Sequence, residues 1–561
     1  MGIRRPLVPG VVAAVAAVAL AVSAAAPGAV LARAGRAPQS GTARLAGHVV
    51  DAAGAPVAGA RLMLSAAGWE IPRIATAGAD GAFVVDGLPA GILTLTASLD
   101  GYVETELGAT APGRPGTPVR LTDGQYVTGL RVVLEAAGAI SGVVHDVDGQ
   151  PAAGVVAAFT GYWDGSRQQL KAAGSARSDE TGAYRIEGLA SGSYFVRVTA
   201  GVSVPFVSRE QPSIDVPAPT WYPGVISSLQ AAPVVVAPGT EARGVDVRVA
   251  LQPSTYLDVV VESPARPMST VEMYLWAPEA AVEGAGWIAD MSVRPTSAAG
   301  PAEFQIPTPI PVGRYRVLVG GRDVDLIGWA TELVTSDGRT PGRVSMFLQP
   351  PARLVGRMSF EGEGPAAGPP RIRLTPASDD TVPNRMRTFA AAPDASGAFE
   401  IDDIAPGRYV VDVEPNAADH AGWMLTSLAI SGQDALDLPI DLVPGQMLTN
   451  VEAVLSRRGA EVGGLVLDEA DRPRPDATVV AFPADARYWW SGSRRIRTIR
   501  PDTSGAYAIE GLPPGNYLLA AVTDAVSEAA WDPAWLGALA ATATPVALGL
   551  ATPVAQDLRV R

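Results

Sequence analysis

Hydrophobic and polar residues alternate through a phrase that occurs four times in the chain, and this alternation predicts paired β-strands. In the last copy, residues 505–517 read GAYAIEGLPPGNY, where Tyr507 and Ile509 alternate with a small and an acidic residue. Successive side chains of a strand point to opposite faces, so the apolar pair shares one face. The residues GLPPG turn the chain, and a second alternating segment begins at Tyr517. The other copies occupy residues 81–91, 182–192 and 397–407.

A second phrase opens the repeats and predicts a strand followed by a turn. Residues 47–56 read GHVVDAAGAP and residues 142–151 read GVVHDVDGQP, while a shorter form, GLVLD, begins at residue 464. Aspartate followed by glycine and proline is typical of a turn. About seven short strands in each repeat of about a hundred residues indicate an antiparallel β-sandwich. Short closing strands are predicted at residues 130–134, 245–251, 344–348, 451–455 and 558–560.

These repeats predict an all-β protein, with a signal segment followed by five tandem antiparallel β-sandwich domains. The third domain is degenerate, because GPAEF at residues 300–304 replaces the opening of the repeated phrase. Short junctions between the domains predict a semi-rigid rod. The predicted limits are 1–32 for the signal peptide and 43–136, 137–252, 253–350, 351–457 and 458–561 for the five sandwiches.

The N-terminal segment has the pattern of a secretory signal. Arg4 and Arg5 precede an apolar run over residues 11–22, and small residues continue through Ala32. We therefore expect export, to the periplasm, the cell surface or the medium. An uncleaved membrane anchor is the alternative, and no membrane span is expected after this segment.

Composition narrows the classes of function. The chain has 561 residues with 60 glycines and 49 prolines, which suits short strands joined by many turns. It has no cysteine, which excludes disulfides and lipid attachment through cysteine. A formal net charge of −14 makes nucleic acid an unfavourable partner, because an acidic chain repels phosphate.

No catalytic or metal site is predicted, and no cofactor. Of the three histidines, His48 and His145 each precede an aspartate by three positions, which places the two side chains on opposite faces of a strand. The recurring acids each belong to a different repeat, so they form no paired carboxylates in one cleft. Each precedes a turn, where a carboxylate can accept main-chain N–H bonds. These acids are Asp86, Glu187, Asp402 and Glu510.

Together, the phrases G-x-V-x-D-x-x-G-x-P and D-x-x-G-x-[YF]-x-[IV]-x-G-L-P-x-G-x-Y resemble the carboxypeptidase regulatory-like domain. The resemblance covers nearly the whole chain after the signal segment and implies a transthyretin-like (prealbumin-like) β-sandwich. In metallocarboxypeptidases such a domain accompanies the zinc domain and is not itself the enzyme. Related sandwiches serve as carbohydrate-binding modules and as stalks of surface adhesins, and fold alone does not transfer a site.

Loops in three of the repeats carry aromatic residues followed by arginine. A flat ring beside a guanidinium can stack on a sugar while the arginine binds a hydroxyl or acid group. The same pair can instead form a cation–π contact within the protein, and both readings stay open. The candidate ligand-binding residues are Trp69, Tyr162, Trp163, Arg167, Tyr488, Trp489, Trp490, Arg494 and Arg495.

The sequence therefore predicts a non-catalytic exported protein that binds glycan or another cell-surface component. The alternative is a structural spacer or a protein–protein interaction scaffold without glycan binding. The oligomeric state is left open.

Overall fold

A computed structural model describes residues 41–561 of the chain, apart from short gaps. The gaps are residues 68, 70, 164–167, 201–207, 264–267, 279–286, 295–300, 324, 367, 378–387, 415–419, 421, 491, 524–530, 551 and 561. The predicted signal peptide lies outside the described residues.

The described residues form ten β-sheets, which fall into five pairs that each enclose a hydrophobic core. The first pair contains β1 (Ala43–Asp51), β2 (Arg61–Ala66), β3 (Arg73–Thr76), β4 (Ala82–Leu88), β5 (Gly91–Ser98), β6 (Tyr102–Val103), β7 (Thr105–Glu106), β8 (Val119–Leu121) and β9 (Tyr126–Ala136). The second contains β10 (Gly138–His145), β11 (Gly154–Trp163), β12 (Gln168–Arg177), β13 (Ala183–Leu189), β14 (Gly192–Ala200), β16 (Thr220–Trp221), β17 (Val234–Val236), β18 (Glu241–Ala242) and β19 (Val247–Arg248).

The third pair contains β15 (Ser213–Pro217), β20 (Leu251–Glu262), β21 (Thr270–Trp276), β22 (Trp287–Val293), β23 (Ala302–Pro311), β24 (Gly313–Arg322), β25 (Leu326–Ser336) and β26 (Gly342–Phe347). The fourth contains β27 (Ala352–Phe360), β28 (Arg371–Pro376), β29 (Phe389–Ala391), β30 (Ala398–Ile404), β31 (Gly407–Glu414), β32 (Met424–Ile430), β33 (Gln433–Asp434), β34 (Ile440–Leu442) and β35 (Met447–Ser456). The fifth contains β36 (Ala460–Leu467), β37 (Thr478–Pro483), β38 (Arg497–Ile499), β39 (Ala506–Leu512), β40 (Gly515–Val522), helix α1 (Pro533–Ala540), β41 (Thr544–Leu548), β42 (Val554–Ala555) and β43 (Leu558–Arg559).

The fold class is all-β, as predicted, and the repeated phrase forms the same two strands in every copy. It gives β4 and β5, β13 and β14, β30 and β31, and β39 and β40. The two strands belong to different sheets of a pair, so the glycine-rich turn between them carries the chain from one layer to the other. Gly511, next to the last residue of β39, has φ +72°, a conformation that glycine adopts without strain.

The sheets are not purely antiparallel. In each pair, the closing strand runs parallel to the opening strand, as β9 does beside β1 and β35 beside β27. The same holds for β18 and β19 beside β10, β26 beside β20, and β42 and β43 beside β36. Alternation along one strand does not report the direction of its neighbour, so the sequence could not distinguish this pairing.

Aspartate side chains set the turns of both repeated phrases. In the opening phrase, Asp51 Oδ1 accepts main-chain N–H bonds from Ala53 at 2.9 Å and Ala55 at 2.8 Å. Ahead of the second phrase, Asp394 Oδ1 accepts from the main-chain N–H of Ser396 at 2.8 Å and of Ala398 at 3.0 Å. Asp146 and Asp468 repeat the first arrangement, and Asp179 and Asp502 repeat the second.

The acids predicted to serve this purpose do something else. Asp86 pairs with Arg44 at 2.8 Å and Asp402 with Arg353 at 2.7 Å, so each carboxylate binds an arginine of the adjacent strand. Glu187 pairs with Arg185 on its own strand. The prediction was wrong for these three acids, because each carboxylate pairs with an arginine.

Tyrosine hydroxyls tie the second strand of the phrase to the turn before it. Tyr409 donates to the carbonyl oxygen of Ala405 at 2.7 Å, and Tyr517 donates to that of Pro513 at 2.8 Å. Both side chains are fully buried, and burial raises the pKa of each hydroxyl. Tyr194 and Tyr315 make the same contact to the residue four positions earlier, and burial raises the pKa of Tyr315 to about 12.

The junctions between sheet pairs are tied together. β15, which lies within the predicted second domain, pairs with β20 of the third sheet pair. Trp329 of the third pair is 1 % exposed and donates from Nε1 to the carbonyl oxygen of Asp403 at 3.0 Å, in the fourth. The first and fifth pairs also touch, since Arg120 Nε lies 2.8 Å from Asp502 Oδ2. A rod would keep its ends apart, so this contact contradicts the predicted semi-rigid rod. The predicted domain limits stay a prediction.

Replacing Tyr409 with phenylalanine is expected to lower the free energy of unfolding by about 1–3 kcal/mol, because the buried carbonyl of Ala405 loses its donor. Chemical denaturation measures the change. Tyr126, a residue that is 54 % exposed, provides the control, and Tyr126→Phe is expected to change the free energy of unfolding by no more than about 0.5 kcal/mol. Equal effects of the two changes would contradict the role given to the Tyr409 hydroxyl.

The turn aspartates predict how stability depends on pH. Hydrogen bonds, chiefly from the hydroxyls of Thr181 and Ser396, hold the pKa of Asp179 and Asp394 below the ordinary value of 3.8. The folded state therefore favours the charged form, so this stabilisation is complete above that value and is lost as the pH falls through the lowered pKa. Urea titrations from neutral pH down to about 2 should show the free energy of unfolding falling below about pH 4. Asp394→Asn should make that fall shallower, and an unchanged slope would count against this explanation.

Candidate functional site

Trp69 follows β2 in the first sheet pair and is half-buried. Its main-chain N–H donates to the carbonyl oxygen of Ala66 at 3.1 Å, which closes the turn that leaves the strand. The ring packs against the edge of the first hydrophobic core. Trp69 therefore covers the core with one part of its ring and leaves the other part accessible.

Tyr162 and Trp163 end β11 in the second sheet pair. Tyr162 is half-buried and lies opposite Gln169 of β12. The side chain of Trp163 and the whole of Arg167 lie outside the described residues. Whether the rings and the arginine of this loop meet therefore stays a prediction.

A different aromatic–arginine group lies on the same sheet and was missed from the sequence. The guanidinium carbon of Arg197 is 4.8 Å from the ring centroid of Phe159 and 5.4 Å from that of Trp221. The two rings lie 5.3 Å apart and are buried. Burial lowers the pKa of Arg197, whose Nε has no hydrogen-bond partner in the described part of the chain. These three residues come from three strands, so only strand pairing brings them together.

The aromatic residues of the fifth sheet pair are mostly packed inside the protein. Tyr488 is 9 % exposed and ends a short 3-10 turn, and the guanidinium of Arg495 lies 4.6 Å from its ring centroid. Trp489 donates from Nε1 to the carbonyl oxygen of Pro483 at 2.8 Å and meets Phe482 edge-on. Trp489 also packs against the small cluster around Leu536 of helix α1, a helix that the sequence did not predict. This cluster covers the outer face of the sheet.

Trp490, Arg494 and Arg495 all bind Asp437 of the fourth sheet pair. Arg494 Nε lies 2.5 Å from Asp437 Oδ1, and Arg495 Nε lies 2.7 Å from Oδ2. Trp490 Nε1 donates to the Asp437 carbonyl oxygen at 3.2 Å. Two guanidiniums therefore share one carboxylate, and both Asp437 and Arg495 are almost fully buried.

Each arginine also has a main-chain partner. Arg494 Nη2 donates to the carbonyl oxygen of Leu425 at 2.5 Å, and Arg495 Nη1 donates to that of Pro514 at 3.0 Å. Buried charges are stable only when they are paired and hydrogen-bonded, and this group satisfies both conditions. The arrangement can hold the fourth and fifth sheet pairs in a fixed relation. It leaves little of the two guanidiniums for a ligand.

Asp437 could have been singled out only weakly from the sequence. It lies 57 and 58 positions before its arginine partners, in a segment without a repeated motif. Its φ of +60° is unusual for a residue other than glycine, and aspartate and asparagine tolerate it best.

Among the described residues, no three His, Cys, Asp or Glu side chains lie close enough together to hold a metal ion. No helix in the described part of the chain is long and apolar enough to cross a bilayer.

Replacing Asp437 with asparagine is expected to lower the free energy of unfolding by about 3–5 kcal/mol, because two buried guanidiniums lose their counter-charge. Asparagine keeps the shape and tolerates the positive φ, so the change tests charge. Denaturant unfolding measures the loss. Asp441→Asn is the control: its side chain is 76 % exposed, it lies 3.7 Å from Arg408, and little change is expected. A loss of stability no larger than that of the control would contradict the role of Asp437 in holding the two sheet pairs together.

The solved structures similar to the chain include three remote likenesses. A streptococcal ancillary pilin shares 12 % identity over 55 % of this chain and 99 % of its own, with a TM-score of 0.19. The TIE protein of Bacillus anthracis shares 10 % identity over 71 % of this chain and 68 % of its own, with a TM-score of 0.14. A DUF3823 family protein from Parabacteroides merdae shares 13 % identity over 50 % of this chain and 91 % of its own, with a TM-score of 0.13. Scores this low carry no argument about function.

Comparison with sequences is more specific. No curated protein sequence matches the chain. The model of the family described as carboxypeptidase regulatory-like domain matches residues 44–135, which span β1 to β9. The first sheet pair is thus similar to the carboxypeptidase regulatory-like domain, as its two repeated phrases implied.

Proposed function

We propose that the protein is a non-catalytic structural scaffold, exported and placed at or beyond the cell surface, whose linked β-sandwiches serve protein–protein interaction. The observation that carries this proposal is the use of Arg494 and Arg495, which both bind Asp437 of the neighbouring sheet pair. These two side chains, which the sequence marked as candidates for ligand binding, instead hold two sheet pairs together. Export rests on the basic and apolar pattern of the first 32 residues.

The other junctions support a scaffold. Ser191 of the second sheet pair donates from its main-chain N–H to Glu135 Oε1 of the first at 2.6 Å and from its hydroxyl to Oε2 at 3.0 Å. Trp329 of the third pair packs into the hydrophobic cluster of the fourth, where it meets Phe389 edge-on at 6.5 Å. Junctions of this kind restrict relative motion between neighbouring sandwiches, which a spacer or scaffold requires.

Glycan binding is the second candidate, and the half-buried Trp69 favours it. Part of its ring faces solvent beside the loop that leads to β3, where a sugar ring could stack. Tyr162 is half-buried in the same way in the second sheet pair. Neither ring belongs to the junction with Asp437, so this candidate is independent of that junction.

A glycan array probed with the purified full chain separates the two candidates. A scaffold without glycan binding is expected to give no saturable binding to neutral or acidic glycans. Saturable binding that Trp69→Ala removes while Tyr126→Ala preserves it would overturn the proposal in favour of glycan recognition. Tyr126 is the matched control because its exposed ring lies on β9 of the same sheet pair. Unchanged thermal unfolding of both variants would show that the fold is intact.

A further inference from the structure

The first and fifth sheet pairs meet through a small set of polar contacts. Arg120 Nε donates to Asp502 Oδ2 at 2.8 Å, and Arg500 Nη2 donates to the carbonyl oxygen of Gly108 at 3.0 Å. The main-chain N–H of Thr503 donates to the carbonyl oxygen of Pro118 at 3.2 Å. We call this set the closing contact. It joins residues about 380 positions apart in the chain.

Asp502 makes the same turn as the aspartates of the other repeats and also takes part in the closing contact. Its Oδ1 accepts the main-chain N–H of Ser504 at 2.9 Å and that of Ala506 at 3.1 Å, as Asp394 does in the fourth sheet pair. Asp394 is exposed, whereas Asp502 is 3 % exposed. The difference arises because the first sheet pair covers Asp502 and Arg120 uses its second oxygen.

The charges at this contact remain favourable when buried. Burial alone would raise the pKa of Asp502, but hydrogen bonds from Ser504, Arg120 and Ala506 outweigh it and hold that pKa below its ordinary value. Arg500 is 9 % exposed and Thr117 is 8 % exposed, so both are shielded as they would be in an interface. A charged turn that is buried in one copy alone indicates a specific surface.

Unlike the junction between the third and fourth sheet pairs, the closing contact has no hydrophobic cluster, in the described part of the chain, that includes residues of both pairs. Among the described residues, the hydrophobic core of the first pair and that of the fifth are separate, whereas Leu318 and Trp329 of the third pair belong to the cluster that forms the fourth core. The side chain of Arg120 is 45 % exposed, so salt can reach it and weaken its attraction to Asp502. The contact is therefore the kind of junction that can open while the sheet pairs stay folded.

We propose that the closing contact is a releasable latch, and that its two opened surfaces join the fifth sheet pair of one molecule to the first sheet pair of a second copy. The two surfaces are complementary by the geometry above, and nothing in that geometry requires them to belong to one chain. This inference rests on the proposed scaffold function and names its partner, a second copy of the chain.

The symmetry of such a contact determines which oligomer it forms. The surface on the first pair differs from that on the fifth, so each molecule offers one of each and association runs head to tail. Two copies that exchange their contacts close a dimer, and further copies extend a filament. Within one molecule the effective concentration of one surface at the other is in the millimolar range. The intramolecular contact therefore dominates in dilute solution.

The absence of cysteine from the chain makes disulfide trapping a clean test. Pro118→Cys and Thr503→Cys place thiols on two hydrogen-bonded main-chain segments, within reach of a disulfide. In dilute solution the full chain carrying both changes should oxidise to a crosslinked monomer, seen by non-reducing electrophoresis and intact mass. Failure to form this monomer would overturn the latch.

Release is tested in the same double-cysteine chain. Asp502→Asn keeps the oxygen that serves the turn but removes the charge that binds Arg120, and should lower the crosslinking yield about tenfold. Raising the ionic strength should also lower the yield. Asp394→Asn, which alters the same turn in the fourth sheet pair, should leave it unchanged. Equal yields in the two variants would overturn the role of the ion pair.

The second copy is tested by mixing two chains that each carry one cysteine. At high protein concentration, Pro118→Cys mixed with Thr503→Cys should give a disulfide-linked dimer. Ala395→Cys is the control partner, because Ala395 is exposed at the equivalent position of the fourth pair and should give no such dimer. Equal dimer yields from the two mixtures would overturn assembly through this contact. Neither outcome depends on the glycan array, so failure here and failure of the proposed function are distinguishable.

Discussion

A carboxylate that accepts main-chain N–H bonds at a turn is the interaction on which each sheet pair depends. Asp394 and Asp502 show it ahead of the repeated hairpin-like phrase, and Asp51 shows it after the opening strand. By fixing where each strand begins, the carboxylate also fixes which residues face the core. A buried tyrosine such as Tyr409 then ties the following strand to its turn.

The same chemistry is reused between sheet pairs. A carboxylate already committed to a turn has a second oxygen, and in Asp502 that oxygen binds Arg120 of the first pair. Asp437 goes further and pairs with two arginines, which makes its junction dependent on charge. Apolar contact supplements these links where Trp329 of the third pair packs into the core of the fourth. Together these links favour a scaffold in which neighbouring sandwiches keep a defined relation.

Sequence patterns were reliable wherever a structural property is local. Alternation in the phrase around Tyr507 predicted strands β39 and β40, and the copies gave equivalent strands in their own sheet pairs. The resemblance to the carboxypeptidase regulatory-like domain was confirmed over residues 44–135. Local patterns were less reliable for the acids beside the turns, since Asp86 binds Arg44 on the neighbouring strand. The sequence also missed the short helix α1, whose residues carry little polar contrast.

The sequence by itself determined the all-β class, the recurring strands and the residue types at the loops, because strand periodicity and turn chemistry act between residues close in the chain. Only the tertiary structure decided what the loop residues contact. The sequence left Arg494 and Arg495 open to a ligand-binding or a structural role, and the structure places Asp437, 57 and 58 positions away, beside them. Tertiary structure also decided that Arg120 meets Asp502, because such contacts depend on how whole sheet pairs are arranged, and no local pattern encodes that arrangement.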